Sequence, residues 1–159
     1  MLNSVDHQIL RLLQDNARIT QAEIGRVVGL APSAVLERLR KLEARGVIRG
    51  YSARIDPKAL DRRLLAFVAL RTTDLPGEAR VARVIAEIPE VQEVHHVAGD
   101  DCLLLKVRAR DPEHLSQILR DRLGRVDGVR STRTTIVLES IKETMALPIE
   151  APGPGAEAS

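Results

Sequence analysis

The sequence predicts an α+β fold in which a small three-helix unit precedes an antiparallel four-stranded sheet carrying two helices. Before residue 46, apolar residues recur at helical spacing in three short segments. After residue 64, strand-like apolar runs alternate with amphipathic helical segments. The chain has 159 residues, of which 44% are hydrophobic and 29% are charged, as is typical of one ordinary globular domain or two small ones.

Capping signals bound the first two helices. Asn3 is the expected N-cap of a helix whose apolar face is made of Val5, Ile9, Leu12 and Leu13. Thr20 is expected to begin the second helix, because Glu23 three residues later completes a capping box. Gly29 ends this helix, whose expected apolar stripe is Ile24, Val27 and Val28.

A third helix is expected after a very short turn. Pro32 suits the first helical position, because its missing N–H would have no partner there, and Gly46 suits a left-handed C-terminal cap. On a helical wheel the core-facing residues are Val35, Leu39 and Leu42. The adjoining exposed face holds Ala34, Glu37, Arg38, Lys41 and Arg45. The next stretch, "VIRGYSARID", predicts a short hairpin or wing.

This first part of the chain is basic, and its third helix has the features of a recognition helix. Residues 1–60 hold ten Lys/Arg against six Asp/Glu, a net charge of +4. The major groove of B-form DNA admits an α-helix, so an apolar stripe beside a face of polar and basic groups indicates double-stranded DNA as a partner. The expected DNA-binding residues are Ser33, Ala34, Glu37, Arg38 and Lys41 from the helix, with Arg49 and Arg54 from the wing. The alternative is a solvated helix face stabilised by the i,i+4 pair of Glu37 and Lys41.

The second part of the chain predicts four strands and two helices. The strands are "LLAFVAL" at 64–70, the range 91–97, "LLLKV" at 103–107 and "TTIVL" at 134–138. The first helix carries Val81, Val84, Ile85 and Ile88. The second has Asp111 as its cap and Pro112 at its first position, and it carries Leu115, Ile118 and Leu119. Strand, helix, strand, strand, helix, strand is the ferredoxin-like, split βαβ order.

The first strand is apolar at both parities, which predicts a dimer. A sheet with helices on one face and water on the other should alternate apolar with polar residues. Here Leu64, Leu65, Ala66, Phe67 and Val68 are all apolar, so a second copy is expected to cover the open face. The alternative is that some of these side chains are simply exposed.

Several function classes are disfavoured. No apolar run approaches the roughly 18 residues of a membrane-spanning helix, and no signal peptide is apparent, so a cytoplasmic protein without membrane contact is expected. The four histidines lack metal-ligand spacing, and neighbouring His95 and His96 should point to opposite faces of a strand. Neither a phosphate-binding glycine loop nor a nucleophile motif appears. The sequence therefore predicts no enzyme, no catalytic residue, no metal and no cofactor.

The stretch from Asp6 to Asp56, "DHQILRLLQDNARITQAEIGRVVGLAPSAVLERLRKLEARGVIRGYSARID", resembles the Lrp/AsnC, or feast-or-famine, transcription regulators. The later "VAGDDCLLLKV" and "GVRSTRTTIVLESIKE" resemble their effector domain. The resemblance implies a winged helix-turn-helix over 1–60 and a ferredoxin-like (RAM/ACT-like) effector and oligomerisation domain over 61–147. The composition indicates a tail over 148–159. That tail, rich in proline and glycine, is expected to be disordered beyond Ile149.

The resemblance also implies dimers that assemble into octamers and small effectors, usually amino acids, bound between subunits. The implied effector-binding residues are Gly99, Asp100, Asp101, Cys102, Thr132 and Thr134. Two positions depart from the family pattern. Ala31 stands where serine is common, which removes a helix cap, and Cys102 replaces an aspartate of the effector-binding turn.

Two other functions remain open at this point. A nucleoid-associated architectural protein would use the same DNA-binding unit with little sequence preference. A metabolic enzyme or its regulatory subunit would carry a similar amino-acid-binding sheet without affinity for DNA.

Overall fold

The structure, a computed structural model, describes residues 2–75, 78–99 and 102–150. Its contacts divide the chain into two compact units. One contains the described residues of Met1–Arg54 and Glu143–Ser159, and the other those of Ile55–Lys142. The sequence predicted domain boundaries after residues 60 and 147. In the structure, the described segment after residue 142 makes its contacts with the N-terminal helices and therefore belongs to the first unit. The expected disordered tail lies almost wholly outside the described residues.

Three helices form the N-terminal unit: α1 (Ser4–Asp15), α2 (Gln21–Val28) and α3 (Pro32–Ala44). The predicted caps are confirmed. Asn3 accepts the backbone N–H of Asp6 at 2.9 Å, and Thr20 forms a capping box with Glu23. The hydrogen bonds from Thr20 lower the pKa of Glu23. Gly29 adopts the left-handed conformation that a helix end favours, with φ 72°.

The three helices share one apolar core. Its buried members are Ile9, Ile24, Val35, Leu39 and Leu42. The stripe predicted for α2 is wrong at Val27, which is 61% exposed. The buried side of α2 is centred on Ile24 and Gly25, and Val27 lies on the side of the helix away from Gly25.

The wing forms no hairpin. Residues 45–63 contain no strand, and the backbone of 49–55 makes no hydrogen bond to another described backbone segment. Instead, the N–H groups of Val47 and Ile48 donate to the carbonyl of Leu42 at 2.9 and 3.2 Å. Gly46 (φ 68°) turns the chain so that these donors close the end of α3. The hairpin that the sequence predicted for this stretch is therefore wrong, because the described residues supply it with no strand partner.

The second unit is the predicted ferredoxin-like sheet. Its elements are β1 (Leu64–Thr72), α4 (Arg80–Ala86), β2 (Val91–His96), β3 (Leu103–Ala109), α5 (Pro112–Gln117) and β4 (Val129–Ile136). The strand order is β2-β3-β1-β4, and every neighbouring pair is antiparallel. Asp111 caps α5 as expected, and a π turn (Ile118–Arg122) and a 3-10 turn (Leu123–Arg125) extend it.

The predicted position of β4 is wrong by several residues. The strand begins at Val129 and ends at Ile136, whereas the sequence indicated 134–138. Gly128 (φ 97°) provides the turn before it, and its carbonyl accepts the N–H of Thr73 at 2.8 Å. Because β4 is an edge strand, its first half carries polar residues and gives no apolar signal.

The helices cover one face of the sheet. On β1, Ala66, Val68 and Leu70 are buried in the core beneath α4 and α5. In α4 the prediction is wrong at Val84, which is 50% exposed, while Ala82 is buried instead. The seven-residue helix presents Val81, Ala82 and Ile85 to the sheet, which turns Val84 outward.

The open face of the sheet is less apolar than the sequence suggested. Of the five residues 64–68, only Leu65 and Phe67 lie on this face, and Leu65 is already buried within the chain. Phe67 is 36% exposed, and its strand neighbour is Lys106. The open face of β1 thus offers a small apolar centre beside Lys106 rather than a continuous apolar surface, and the dimer stays a prediction.

A glycine that the sequence pattern did not single out holds the turn between α2 and α3. Gly25 is buried, and the N–H of Leu30 donates to its carbonyl at 3.0 Å. A Cβ at this position would overlap the carbonyl oxygen of Leu30. Only glycine therefore allows the chain to return so closely and start α3 against α2.

We expect Gly25→Ala to lower the free energy of unfolding of the N-terminal unit by about 1–3 kcal/mol, the usual cost of overpacking. Urea unfolding measures this. The matched control is Gly46→Asn, because Gly46 has open space around its Cα and asparagine tolerates a left-handed conformation. Equal losses for the two variants would contradict a steric role for Gly25.

Candidate nucleic-acid interface

The exposed face of α3 carries most of the predicted DNA-binding residues. The helix buries Val35, Leu39 and Leu42, so its opposite face is exposed to solvent. Ser33, Glu37 and Lys41 are exposed, and Ala34 is half-buried. Ala31 makes no side-chain cap, as its residue type predicts, and Pro32 occupies the first turn. The uncapped end therefore leaves its backbone donors without a side-chain acceptor.

Glu37 and Lys41 form an ion pair on that face. The Lys41 Nζ and Glu37 Oε1 atoms are 2.6 Å apart, and both side chains are 68% exposed. The hydrogen bond from Lys41 lowers the pKa of Glu37, so this carboxylate is ionised at neutral pH. Pairs this exposed contribute little to stability, typically about 0–1 kcal/mol. Both groups can therefore exchange their partner for a group on DNA at small cost.

Arg38 is placed differently from the other predicted DNA contacts. One of its Nη atoms lies 2.9 Å from Asp6 Oδ1, and its side chain is 33% exposed against 11% for Asp6. Asp6 is the one buried charged residue in the described part of the chain. Removing one partner of a buried pair typically costs about 3–5 kcal/mol, and partial exposure reduces that figure here.

Asp6 was not predicted from the sequence as a partner of α3. A signal was present, because Asp6 stands at the third position of α1 and completes a capping box with Asn3. What could not be seen is that the same carboxylate also faces a second helix 32 residues further along the chain.

A shallow depression of about 320 Å³ runs beside α3 in this unit. Basic, acidic and apolar side chains share its walls. It is lined by Asp6, Leu30, Ala34, Glu37, Arg38, Lys41, Leu42 and Arg45. Five of these residues belong to the exposed face of α3 and Asp6 to the start of α1, while Leu30 and Leu42 belong to the apolar core below.

The two wing arginines are not equivalent. Arg49 is exposed and has no hydrogen bond or ion pair within the described residues. Arg54 donates to the carbonyl oxygen of Glu143 at 3.2 Å, in the segment that returns from the second unit. The same segment pairs with α1, where the Gln14 amide donates to and accepts from the Leu147 backbone at 3.0 and 2.7 Å. Arg54 is therefore engaged in the free protein, whereas Arg49 is available.

Of the expected effector-binding residues, the structure describes four. Asp100 and Asp101 lie outside the described residues. Cys102 is half-buried, and its N–H donates to the Leu70 carbonyl at 2.8 Å, while Thr132 lies opposite Leu70 on the other side of β1. The strand spacing puts these two residues about 10 Å apart at one end of the sheet.

The other two described residues are Gly99, which lies in a turn, and Thr134, which is placed by the strand register. Gly99 has φ 135° in the turn between β2 and β3. Thr134 lies opposite Val68 and is half-buried, on the face of the sheet that the helices cover. Thr135 lies opposite Phe67 on the open face, so the two adjacent threonines point in opposite directions.

No group of three or more His, Cys, Asp or Glu side chains able to hold a metal occurs among the residues the structure describes. His95 and His96 lie opposite Leu104 and Leu103, so they point to opposite faces as predicted. Glu93 accepts from His95 at 3.1 Å and from Lys106 at 3.3 Å, and these bonds lower the pKa of Glu93. None of the described helices has the length and apolar character needed to span a membrane.

Comparison with known proteins agrees with this arrangement. Residues 2–49 match the winged helix-turn-helix DNA-binding family, and residues 65–147 match the Lrp/AsnC ligand binding domain. The chain is 39% identical to the HTH-type transcriptional regulator FL11 of Pyrococcus horikoshii over 150 residues, covering 94% of this chain and 97% of that protein. It is 38% identical to the leucine-responsive regulatory protein of Escherichia coli over 153 residues, covering 94% and 92%.

Solved structures give the same result. A transcriptional regulator from Neisseria meningitidis in complex with L-methionine has a TM-score of 0.86 at 32% identity, covering 93% of this chain and 97% of that one. The feast or famine regulatory protein of Mycobacterium tuberculosis, complexed with L-methionine, has a TM-score of 0.85 at 35% identity, covering 96% and 100%. Relatives named as transcriptional regulators argue against an enzyme. By sequence and by fold, this chain belongs to the Lrp/AsnC family of DNA-binding transcriptional regulators.

Proposed function

We propose that this regulator recognises a specific, roughly palindromic operator and changes its DNA affinity when an amino acid binds to its second unit. The observation that carries the DNA-binding half is the exposed, charged face of α3, together with Arg49, which has no partner within the described residues. The protein acts on the nucleoid in the cytoplasm. We assign DNA binding to residues 1–60 and effector binding to residues 61–147, of which 143–147 make their contacts with the N-terminal helices.

The residues of α3 divide by position. Ser33, Ala34 and Glu37 stand on the N-terminal half that enters the major groove, where Glu37 is an acceptor for the amino group of a cytosine. Lys41 and Arg49 contact phosphates. Arg54 contacts a flanking phosphate after giving up its bond to the Glu143 carbonyl.

The ligand is an amino acid because both of its charged ends find complementary groups. Its ammonium group is taken by Asp100 or Asp101, and its carboxylate by a backbone donor at Gly99 and by the hydroxyls of Thr132 and Thr134. The L-methionine complexes of two relatives support this chemistry. Cys102, where the family often has aspartate, leaves the ammonium fewer carboxylates, which favours a ligand different from that of the relatives.

Assembly links the two activities. A dimer formed through the open sheet face around Phe67 presents two recognition helices to half-sites about 34–36 Å apart, and dimers associate further into octamers. Because the ligand lies at a subunit contact, it binds some assemblies better than others and shifts the population toward them.

We expect Lys41→Ala and Arg49→Ala each to weaken binding to all duplexes alike. Each should reduce the slope of log K against log salt by about 0.9, since each removes one phosphate contact. Fluorescence anisotropy at several salt concentrations measures this. Arg120→Ala in the second unit, where Arg120 pairs with Asp121, is the control and should leave the slope unchanged.

An unchanged slope in Lys41→Ala and Arg49→Ala, with altered base preference, would show that these side chains do not contact phosphate. If selection from randomised duplexes yields no preferred sequence while general affinity is high, the architectural alternative is correct instead.

We expect a thermal-shift screen of the twenty amino acids to reveal at least one that raises the melting temperature. A ligand at one hundred times its Kd stabilises the folded state by about 2.7 kcal/mol. Thr134→Ala should abolish the shift, whereas Ser116→Ala should retain it, because Ser116 also carries a hydroxyl but is exposed on α5. A shift that survives Thr134→Ala would place the ligand elsewhere.

A further inference from the structure

We propose that Arg38 is a positioning residue, and that Asp6, a carboxylate of α1, controls how well α3 distinguishes its operator from other DNA. Arg38 would thus act through α1 instead of contacting a phosphate. This proposal rests on DNA recognition by α3.

A continuous polar network joins the start of α1 to the middle of α3. Asp6 Oδ2 accepts the Asn3 N–H at 3.1 Å, and Asn3 Oδ1 accepts the Asp6 N–H at 2.9 Å. Asp6 Oδ1 accepts from Arg38 at 2.9 Å, and Arg38 also approaches Asn3 Oδ1 at 3.5 Å. Three residues thus form one cluster, in which Asp6 contacts the N-cap of its own helix and one residue of α3.

Burial separates this cluster from the rest of the charged face. Arg38 is about half as exposed as Lys41, because its side chain lies along the edge of the apolar stripe and turns toward α1. Lys41 is 68% exposed, and among the described residues it pairs only with a carboxylate of its own helix. The two cations, three residues apart, therefore have different partners and different mobility.

Arg38 cannot leave Asp6 as freely as Lys41 leaves Glu37. If the guanidinium moved to a phosphate, Asp6 would keep only the Asn3 N–H for a charge that is almost fully out of water. Glu37 in the same situation would be solvated at once. The pair with Asp6 consequently persists when DNA binds.

A persistent link between α1 and α3 fixes the direction of the recognition helix. Base-edge hydrogen bonds require a helix held in one orientation, whereas attraction to phosphate tolerates small rotations. Breaking the pair should therefore reduce the preference for the operator and leave general attraction to DNA largely intact.

The test begins by selecting a preferred site for the wild-type chain from randomised duplexes. Asp6→Asn, Arg38→Ala, Arg38→Lys and the double variant Asp6→Asn with Arg38→Ala are then measured on this site and on a scrambled duplex at several salt concentrations. We expect both single variants Asp6→Asn and Arg38→Ala to lower the ratio of specific to scrambled affinity by at least about fivefold. The salt slope should stay as in wild type, the double variant should be no worse than either single one, and Arg38→Lys should recover part of the ratio.

A slope lowered in Arg38→Ala as in Lys41→Ala would overturn the proposal, because it would make Arg38 a phosphate contact. An unchanged affinity ratio in Asp6→Asn, with circular dichroism showing a folded chain, would overturn it too, because the pair would then only stabilise the fold. If Arg38→Ala does not fold, Asp6→Asn and Arg38→Lys carry the same comparison. Failure of the selection itself would instead count against sequence-specific binding as a whole.

Discussion

The burial of one apolar stripe of α3 is the constraint on which the DNA-binding unit depends. Val35, Leu39 and Leu42 complete a core that α1 and α2 begin, and this packing decides which side of α3 remains outside. Gly25 permits it, because the close return of the chain at Leu30 leaves no room for a side chain. The charged face of α3 is exposed because the apolar face of the same helix is buried in this core.

The order and type of the elements follow from local physical chemistry, so the sequence predicts them well. Asn3, Thr20 and Asp111 cap helices because their side chains satisfy donors within three residues. The apolar strands β1 and β3 were predicted because both are central in the sheet. The start of β4 and the absence of a hairpin in the wing were not predicted. Whether an edge strand or an extended segment pairs depends on partners that are distant in sequence.

The same distinction applies to the candidate site. Helical periodicity predicts which residues of α3 are exposed, and it is right for Glu37 and Lys41. It says nothing about what an adjacent helix or a returning segment offers. Asp6 engages Arg38 across 32 residues, and Glu143 engages Arg54 across 89. Partners this distant in sequence can be identified only in the folded structure. For the pair of Arg38 and Asp6 there was a partial signal, because Asp6 is an acidic residue in the first turn of α1.

These partners imply that DNA binding by this unit is largely an exchange of polar interactions. Lys41 already has a carboxylate partner and Arg54 a carbonyl partner, so each must break an interaction within the protein before it can bind a phosphate. The exchange is nearly neutral for the exposed Lys41, where the internal pair contributes about 0–1 kcal/mol. It is unfavourable for Arg38, whose partner is buried. In the proposed mechanism, net attraction comes mainly from the counterions that leave the DNA when the exposed cations neutralise phosphates, which ties affinity to salt. Specificity in that mechanism depends on how rigidly the Arg38–Asp6 pair holds α3.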